Sequence, residues 1–190
     1  MERNKTLNFN KQIKKPAKTD EWYTPSYAVE IILPYLNKKP YRHVWCPFDT
    51  KDSEFVKILN REGYIVTYGH IDTGQDFFNY AEPPEGVECV ISNPPFSKRE
   101  LIFEKLFGWQ IPFAIIMNSN GLFDNRLRWN LFKNNKFELL IPQGRIKFSD
   151  GTNLRHSPPF QSIYVCSQFL DKQIEFTSLN ETACSHTERR

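Results

Sequence analysis

The sequence predicts an α/β fold with a mainly parallel central sheet whose C-terminal part turns antiparallel. Three observations carry this expectation. Short apolar strands alternate with segments of helical periodicity, the pattern of right-handed β-α-β units. The strands after residue 137 follow one another more closely, as antiparallel neighbours do. Polar and proline-bearing loops follow the strands, where sheets of this kind hold ligands.

The elements can be justified in chain order. Residues 1–19 are polar and basic, with Arg3, Lys5, Lys11, Lys14, Lys15 and Lys18 opposed only by Glu2. They read as a solvated tail that could touch phosphates. Thr24 and Pro25 signal a helix start, a hydroxyl cap followed by proline at the first helical position. Val29, Ile32, Leu33 and Leu36 continue it on one face, and Pro40 follows its end. His43-Val44-Trp45-Cys46 reads as a buried strand. Capping residues at 49–53 precede a helix marked by Phe55, Ile58 and Leu59 and ended by Gly63. Tyr64–Tyr68 is a β-branched and aromatic strand. Val87–Ser92 is another, stopped by Asn93-Pro94-Pro95. Leu101, Ile102, Lys105 and Leu106 mark a helix. Phe113–Met117, Phe137–Ile141 and Ser162–Cys166 complete the strands. The expected organisation is a tail over 1–19, one domain over 20–175 and a polar tail over 176–190.

Composition narrows the class. The 190 residues suit one domain with its own core, and 39% hydrophobic with 25% charged residues read as soluble and globular. A net charge of +3 is too small to signal nucleic acid by itself. Cys46, Cys89, Cys166 and Cys184 form no close pair, and there is no long apolar run. Reduced thiols, a cytoplasmic location and no membrane contact follow as expectations. His43, His70, His156 and His186 lack zinc-ligand spacing, so no metal is expected.

The strongest chemical signal is Ser92-Asn93-Pro94-Pro95-Phe96 at the end of an apolar strand. An exocyclic adenine amine is a poor nucleophile, because its lone pair is delocalised into the ring. A site helps by accepting both amine hydrogens. The Asn93 side-chain oxygen and the Pro94 carbonyl are suitable acceptors. Pro94 and Pro95 stiffen that backbone. Phe96 can stack on a base turned out of the helix. Two further segments stand out. One is Asp20-Glu21-Trp22-Tyr23-Thr24-Pro25, where a helix N-terminus attracts a carboxylate. The other is His70–Phe78, where Asp72 at a strand end suits ribose hydroxyls.

Asn93-Pro94-Pro95-Phe96 resembles motif IV of the amino-methyltransferases, which act on adenine N6, cytosine N4 or protein glutamine. Residues 20–25 resemble motif X of adenine methyltransferases, with Trp22, Tyr23, Thr24 and Pro25 against the methionine end of the cofactor. Asp76-Phe77 resembles motif III, which contacts the cofactor adenine. Pro142-Gln143-Gly144-Arg145-Ile146-Lys147-Phe148 and the later Ser157–Phe160 segment are similar to the tail of phage-type DNA adenine-N6 methyltransferases. The resemblance covers residues 20 to about 168. It implies a Rossmann-like methyltransferase fold, S-adenosyl-L-methionine as cofactor and DNA as partner. Arg145, Lys147 and Arg155 would then face phosphate. Asn118-Ser119-Asn120-Gly121 would line the pocket rim.

The chain departs from the pattern at motif I. An acidic residue, proline and a Gly-x-Gly turn are usual there, the glycines letting the backbone approach the cofactor. Here Cys46-Pro47-Phe48-Asp49 and the following residues contain no glycine. Pro47 and Phe48 keep the Pro-Phe pair, and Asp49 becomes the candidate for the cofactor's ammonium group. No separate recognition domain is expected in the residues after motif IV, which would leave duplex reading to loops such as 122–129, with Arg126 and Arg128. Three readings stay open: an adenine-N6 DNA methyltransferase, the same chemistry on RNA or protein glutamine, and a non-catalytic binding module on the same fold. Cytosine C5 methylation is disfavoured, because it needs a cysteine nucleophile after proline.

Overall fold

The computed structural model describes residues 23–149, 155–156 and 158–179. Trp22 and the basic tail lie outside them. The first elements are α1 (Ser26–Glu30), α2 (Leu33–Leu36), β1 (His43–Cys46), α3 (Glu54–Arg61) and β2 (Ile65–Tyr68). Next come β3 (Cys89–Ser92), α4 (Arg99–Trp109), β4 (Phe113–Asn118), α5 (Arg126–Asn134) and β5 (Glu138–Pro142). The chain closes with β6 (Phe148–Ser149), β7 (Arg155–His156), β8 (Ser162–Ser167) and β9 (Ile174–Thr177).

One seven-stranded sheet runs in the order β2-β1-β3-β4-β8-β5-β9. Its first four strands are parallel. Strand β8 is antiparallel to both β4 and β5, and β9 returns parallel to β5. The expected α/β class, with its antiparallel C-terminal part, is the observed one. Strand β9 spans Ile174–Thr177, so it crosses the boundary expected at 175. Its exposed Ile174 and Phe176 give no burial signal that would mark a strand.

Alternation along the strands splits the interior into two layers. Val44, Cys46, Cys89, Ile91, Ala114, Ile116, Tyr164 and Cys166 face α1, α2 and α3. Trp45, Val90, Phe113, Ile115, Met117, Ile163 and Val165 face α4 and α5. Period-two burial places successive residues on opposite faces, so each strand feeds both layers. The second layer is aromatic. Phe103 and Phe107 of α4 pack on Phe113 and Phe132 with ring centroids 5.1–6.1 Å apart. Packed rings of this kind add to the area they bury.

Local chemistry explains the element ends. Ser53 caps α3 by accepting from Val56 N, and Gly63 reverses the chain with φ +87°. The Glu88 carboxylate accepts the backbone N–H groups of Arg42 and His43, at 2.5 and 2.9 Å, which joins the starts of β1 and β3. Those donors hold the Glu88 carboxyl below its ordinary pKa.

Two expectations need correction. The helix from Thr24 is two short helices, and Pro25 rather than Thr24 sits at the cap, with no side-chain cap. Pro34 lacks an N–H and crowds the carbonyl one turn back, which breaks the run. Helix α4 holds Leu101, Ile102, Lys105 and Leu106 as expected; its buried stripe is Ile102, Phe103, Leu106 and Phe107, and Leu101 is 49% exposed. The loop expected at 122–129 begins a helix, α5, capped by Asn125, whose side chain accepts from Arg128 N at 2.8 Å.

Phe103 is fully buried against the rings of Phe107, Phe113 and Phe132. Phe103→Ala is predicted to lower unfolding free energy by about 3–5 kcal/mol, read as a shifted urea midpoint. A loss under about 1 kcal/mol would show that this layer does not anchor α4.

Candidate active site

The C-terminal ends of β2, β1, β3 and β4 lie side by side along one edge of the sheet. Strand order reverses at β1, because β2 lies on one side of it and β3 on the other. A ligand crevice belongs at such a reversal. Four loops surround it: 47–53, 69–76, 93–98 and 119–125. All four were singled out in the sequence.

The 93–98 loop carries the sharpest geometry. Asn93 Nδ2 donates to Thr24 Oγ1 at 3.0 Å. The hydroxyl expected to cap a helix therefore orients the Asn93 amide instead. That contact turns Oδ1 the other way. Oδ1 is buried and, among the described residues, has no hydrogen-bond partner. A buried, unpaired carbonyl oxygen is costly and calls for an explanation. Pro94 is buried, and Pro95 leads into a 3₁₀ turn over Phe96–Lys98. Among the described residues no donor reaches the Pro94 carbonyl. Phe96 is half-buried and touches both core layers. Its ring meets Phe160 edge-on at 5.7 Å, so the two Pro-Pro-Phe strings come together in space.

Tyr23 is fastened to the β6 end by paired backbone bonds with Ser149, at 2.8 and 3.1 Å. This pairing carries Thr24 and Pro25 to the crevice. Tyr23 itself is 57% exposed.

The 47–53 loop turns inward. Asp49 N donates to Gly69 O at 3.0 Å and Gly69 N to Cys46 O at 3.1 Å, stitching the ends of β1 and β2 together. A Cβ at Gly69 would come within 3.1 Å of Gln75. The Asp49 carboxylate accepts a short hydrogen bond from Ser92 Oγ, across the reversal between β1 and β3. Asp49 was expected to face the cofactor's ammonium group, and here it is buried against Ser92. Burial raises its pKa to about 7, against the lowering effect of hydrogen bonds from Ser92 and Ser53. Phe48 packs on Phe77, with centroids 4.7 Å apart.

In the 69–76 loop, Asp72 is exposed at the end of β2, with its backbone N–H donating to His70 Nδ1 at 3.2 Å. Asp76 caps the next turn, accepting from Phe78 N at 2.9 Å. Asp76 and Phe78, with Lys98, Leu101, Glu104 and Lys105, line an open cleft of about 660 Å³. Phe77 points inward and is 2% exposed, packed on Trp45, Phe48 and Trp109. Phe77, expected at the cofactor adenine, is thus a core residue, and Phe78 is the ring that faces the cleft.

Of the expected phosphate contacts, Arg128 is committed elsewhere. Its guanidinium is paired with Glu100 and Asp124 and is 12% exposed, so it braces α5 from the inside. Arg126 is exposed on α5. Arg145 is exposed near Pro158 O, at 3.4 Å. The Lys147 backbone donates to Tyr27 Oη at 2.8 Å. The Arg155 side chain lies outside the described residues.

Sequence inspection missed Arg99, Glu100 and the pairing of Ser92 with Asp49. Arg99 Nε donates to Phe96 O at 3.2 Å and its Nη1 to Asn120 O at 2.7 Å, tying the 93–98 loop to the 119–125 loop. Only its place three residues after Phe96 hinted at this. Cys46, Cys89 and Cys166 are buried thiols with pKa values pushed up by burial, which makes them poor nucleophiles. Among the described residues no group of three or more His, Cys, Asp or Glu side chains could hold a metal, and no helix is long and apolar enough to cross a membrane.

No protein-family model matches the chain, and no curated protein matches its sequence. Solved structures do. The modification subunit assigned to a type I restriction enzyme of Vibrio vulnificus aligns over 77% of this chain and 44% of its own, at TM-score 0.50 and 10% identity. The chain shares that subunit's Rossmann-like α/β fold. The M protein of the EcoKI type I restriction enzyme aligns over 78% of this chain and 44% of its own, at TM-score 0.47 and 13% identity. A precorrin-6y C5,15-methyltransferase of Geobacter metallireducens aligns over 78% and 94%, at 0.37 and 13%. The chain spans less than half the length of either restriction-enzyme subunit.

The Asp49 pKa of about 7 has a signed consequence. Between the ordinary carboxylate range and pH 7, the folded chain holds a proton that the unfolded chain has lost. Stability therefore falls as pH rises through that window and levels off above it. Asp49→Asn has no charge to bury. It is predicted to raise the unfolding free energy at about pH 8, by on the order of 4 kcal/mol at most. Near pH 3 the two proteins should melt alike. Equal melting at both pH values would contradict the burial argument.

Proposed function

We propose that this chain is an S-adenosylmethionine-dependent methyltransferase acting on adenine N6 in DNA, of the phage type. One observation carries the reading. Asn93 holds an unpaired oxygen at the C-terminal end of β3, fixed by Thr24 and followed by the Pro94 carbonyl; it is closed to solvent here, so a base reaches it by a shift of the 93–98 loop. Two acceptors on a rigid corner suit the two hydrogens of an exocyclic amine. Phe96 supplies an aromatic surface beside them. A modification subunit of a type I restriction enzyme shares the fold, and that agrees with DNA as the substrate.

The residues around the crevice also fit the cofactor. Asp72 is open to ribose hydroxyls at the end of β2. Asp76 and Phe78 line an open cleft that Lys98, Leu101, Glu104 and Lys105 complete on the α4 side. The cofactor supplies an electrophilic methyl group on a sulfonium. Asn93 and the Pro94 carbonyl hold the amine hydrogens, so the nitrogen lone pair points toward that methyl. As the N–C bond forms and the S–C bond breaks, the nitrogen becomes acidic and its proton leaves to solvent. No strong base is needed. The rate enhancement comes from positioning and from acceptors set before the charge develops.

The test is incubation with labelled cofactor and unmethylated DNA, followed by nucleoside analysis. N6-methyladenine is the expected product. Asn93→Ala should lower the rate on the order of 100-fold or more with the fold intact. Thr24→Val, which frees the Asn93 amide, should lower it on the order of 10-fold. Wild-type rates in Asn93→Ala would remove the basis of the reading. A second reading, a non-catalytic binding module, is favoured by the inward turn of Asp49 in a glycine-free loop. Calorimetry separates them, since the module predicts no binding heat at about millimolar cofactor.

A further inference from the structure

Helix α5 carries a set of side chains that the proposed chemistry does not use. Arg126, Trp129, Asn130 and Lys133 fall at i, i+3, i+4 and i+7, one stripe along the helix. All four are exposed, and Trp129 is 50% exposed. The Lys133 ammonium lies 4.6 Å from the Trp129 ring centroid. Among the described residues neither Arg126 nor Lys133 enters an ion pair. Residues 125–137 contain no Asp or Glu, and Lys136 adds another exposed cation at the helix end. The outward charge of this face is therefore wholly positive.

The stripe is also held in place. Asn125 and Arg128, on the inner side of α5, both donate to Glu100 at the start of α4. The neighbouring Arg99 ties Phe96 to Asn120. The same turn of α4 thus fixes the Pro-Pro-Phe corner and the stripe to each other. Cations beside an exposed indole suit a chain of phosphates with stackable bases.

We propose that the Arg126–Trp129–Asn130–Lys133 stripe of α5 contacts the DNA backbone flanking the target adenine, with Trp129 stacking on a neighbouring unpaired base. The inference rests on the DNA reading above and extends it to a second surface. Leu127, 64% exposed beside the stripe, makes self-association the competing use of this face.

The test uses the full chain and a fluorescently labelled unmethylated duplex, with anisotropy followed across a salt series. Arg126→Ala with Lys133→Ala should weaken binding on the order of 10-fold at moderate salt. It should also flatten the slope of log K against log salt by roughly 0.9 per lost contact. Trp129→Ala should weaken binding on the order of 10-fold and leave the slope unchanged. Lys57→Ala, on α3 against the other layer, should change neither. Thermal melts of all variants should match wild type, since the altered groups are exposed. Variants that bind with wild-type affinity and slope overturn the stripe and leave the methyltransferase reading standing. A wild-type chain that does not bind the duplex overturns both. Slope effects without any methylation keep the stripe and overturn the enzyme. A dimer on gel filtration that Trp129→Ala dissolves would assign the face to self-association and overturn the inference.

Discussion

The hydrogen bond from Asn93 Nδ2 to Thr24 Oγ1 governs the site. It joins the first helical segment to the end of β3, two parts of the chain far apart in sequence. An amide has two ends, and holding the nitrogen fixes where the oxygen points. That oxygen is left buried with no protein donor. A fold that leaves a strong acceptor unpaired forgoes stability there, and functional sites are where such exceptions gather. The bracing extends outward. Tyr23 pairs with Ser149, Arg99 holds Phe96, and Phe160 closes on Phe96 from the side.

The second constraint is the crevice where strand order reverses. Asp49 and Ser92 meet across it, so the loop after β1 and the loop after β3 share a hydrogen bond. Burial leaves Asp49 titrating near neutrality, so the link is strongest in character as a charged acceptor only above that pH. Backbone bonds among Cys46, Asp49 and Gly69 join the ends of β1 and β2, and an acid sits within the crevice although the loop after β1 has no glycine. The aromatic layer under this edge, with Trp45 and Phe77 at its centre, supplies the stiff floor on which both loops rest.

Much of this was legible in the sequence, and the rest was hidden for identifiable reasons. Apolar strands such as Phe113–Met117 announce themselves, because residues buried on both faces read as continuous apolar runs. The strand-end Asn93-Pro94-Pro95-Phe96 likewise sits where its loop emerges. Helix α5 was hidden because its polar, Arg- and Asn-rich surface shows one fully buried side chain, Phe132. Strand β9 lies on the sheet edge with alternate exposed positions, so burial gave it no signal. Phe77 and Phe78 were told apart only by the 3₁₀ turn that Asp76 caps, which points one ring into the core and the other to the cleft. Arg128 looked like a phosphate ligand because its partners, Glu100 and Asp124, become neighbours through the α4–α5 packing.

The central claim is that the unpaired Asn93 oxygen waits for an adenine amine. A crystal structure of the chain with sinefungin, a stable cofactor analogue, and an adenine-containing oligonucleotide tests it most directly. The account predicts the adenine N6 within about 3 Å of Asn93 Oδ1 and of the Pro94 carbonyl oxygen, with Thr24 still holding Nδ2. An adenine seated elsewhere, or an Asn93 oxygen filled by a protein donor in the complex, would contradict it.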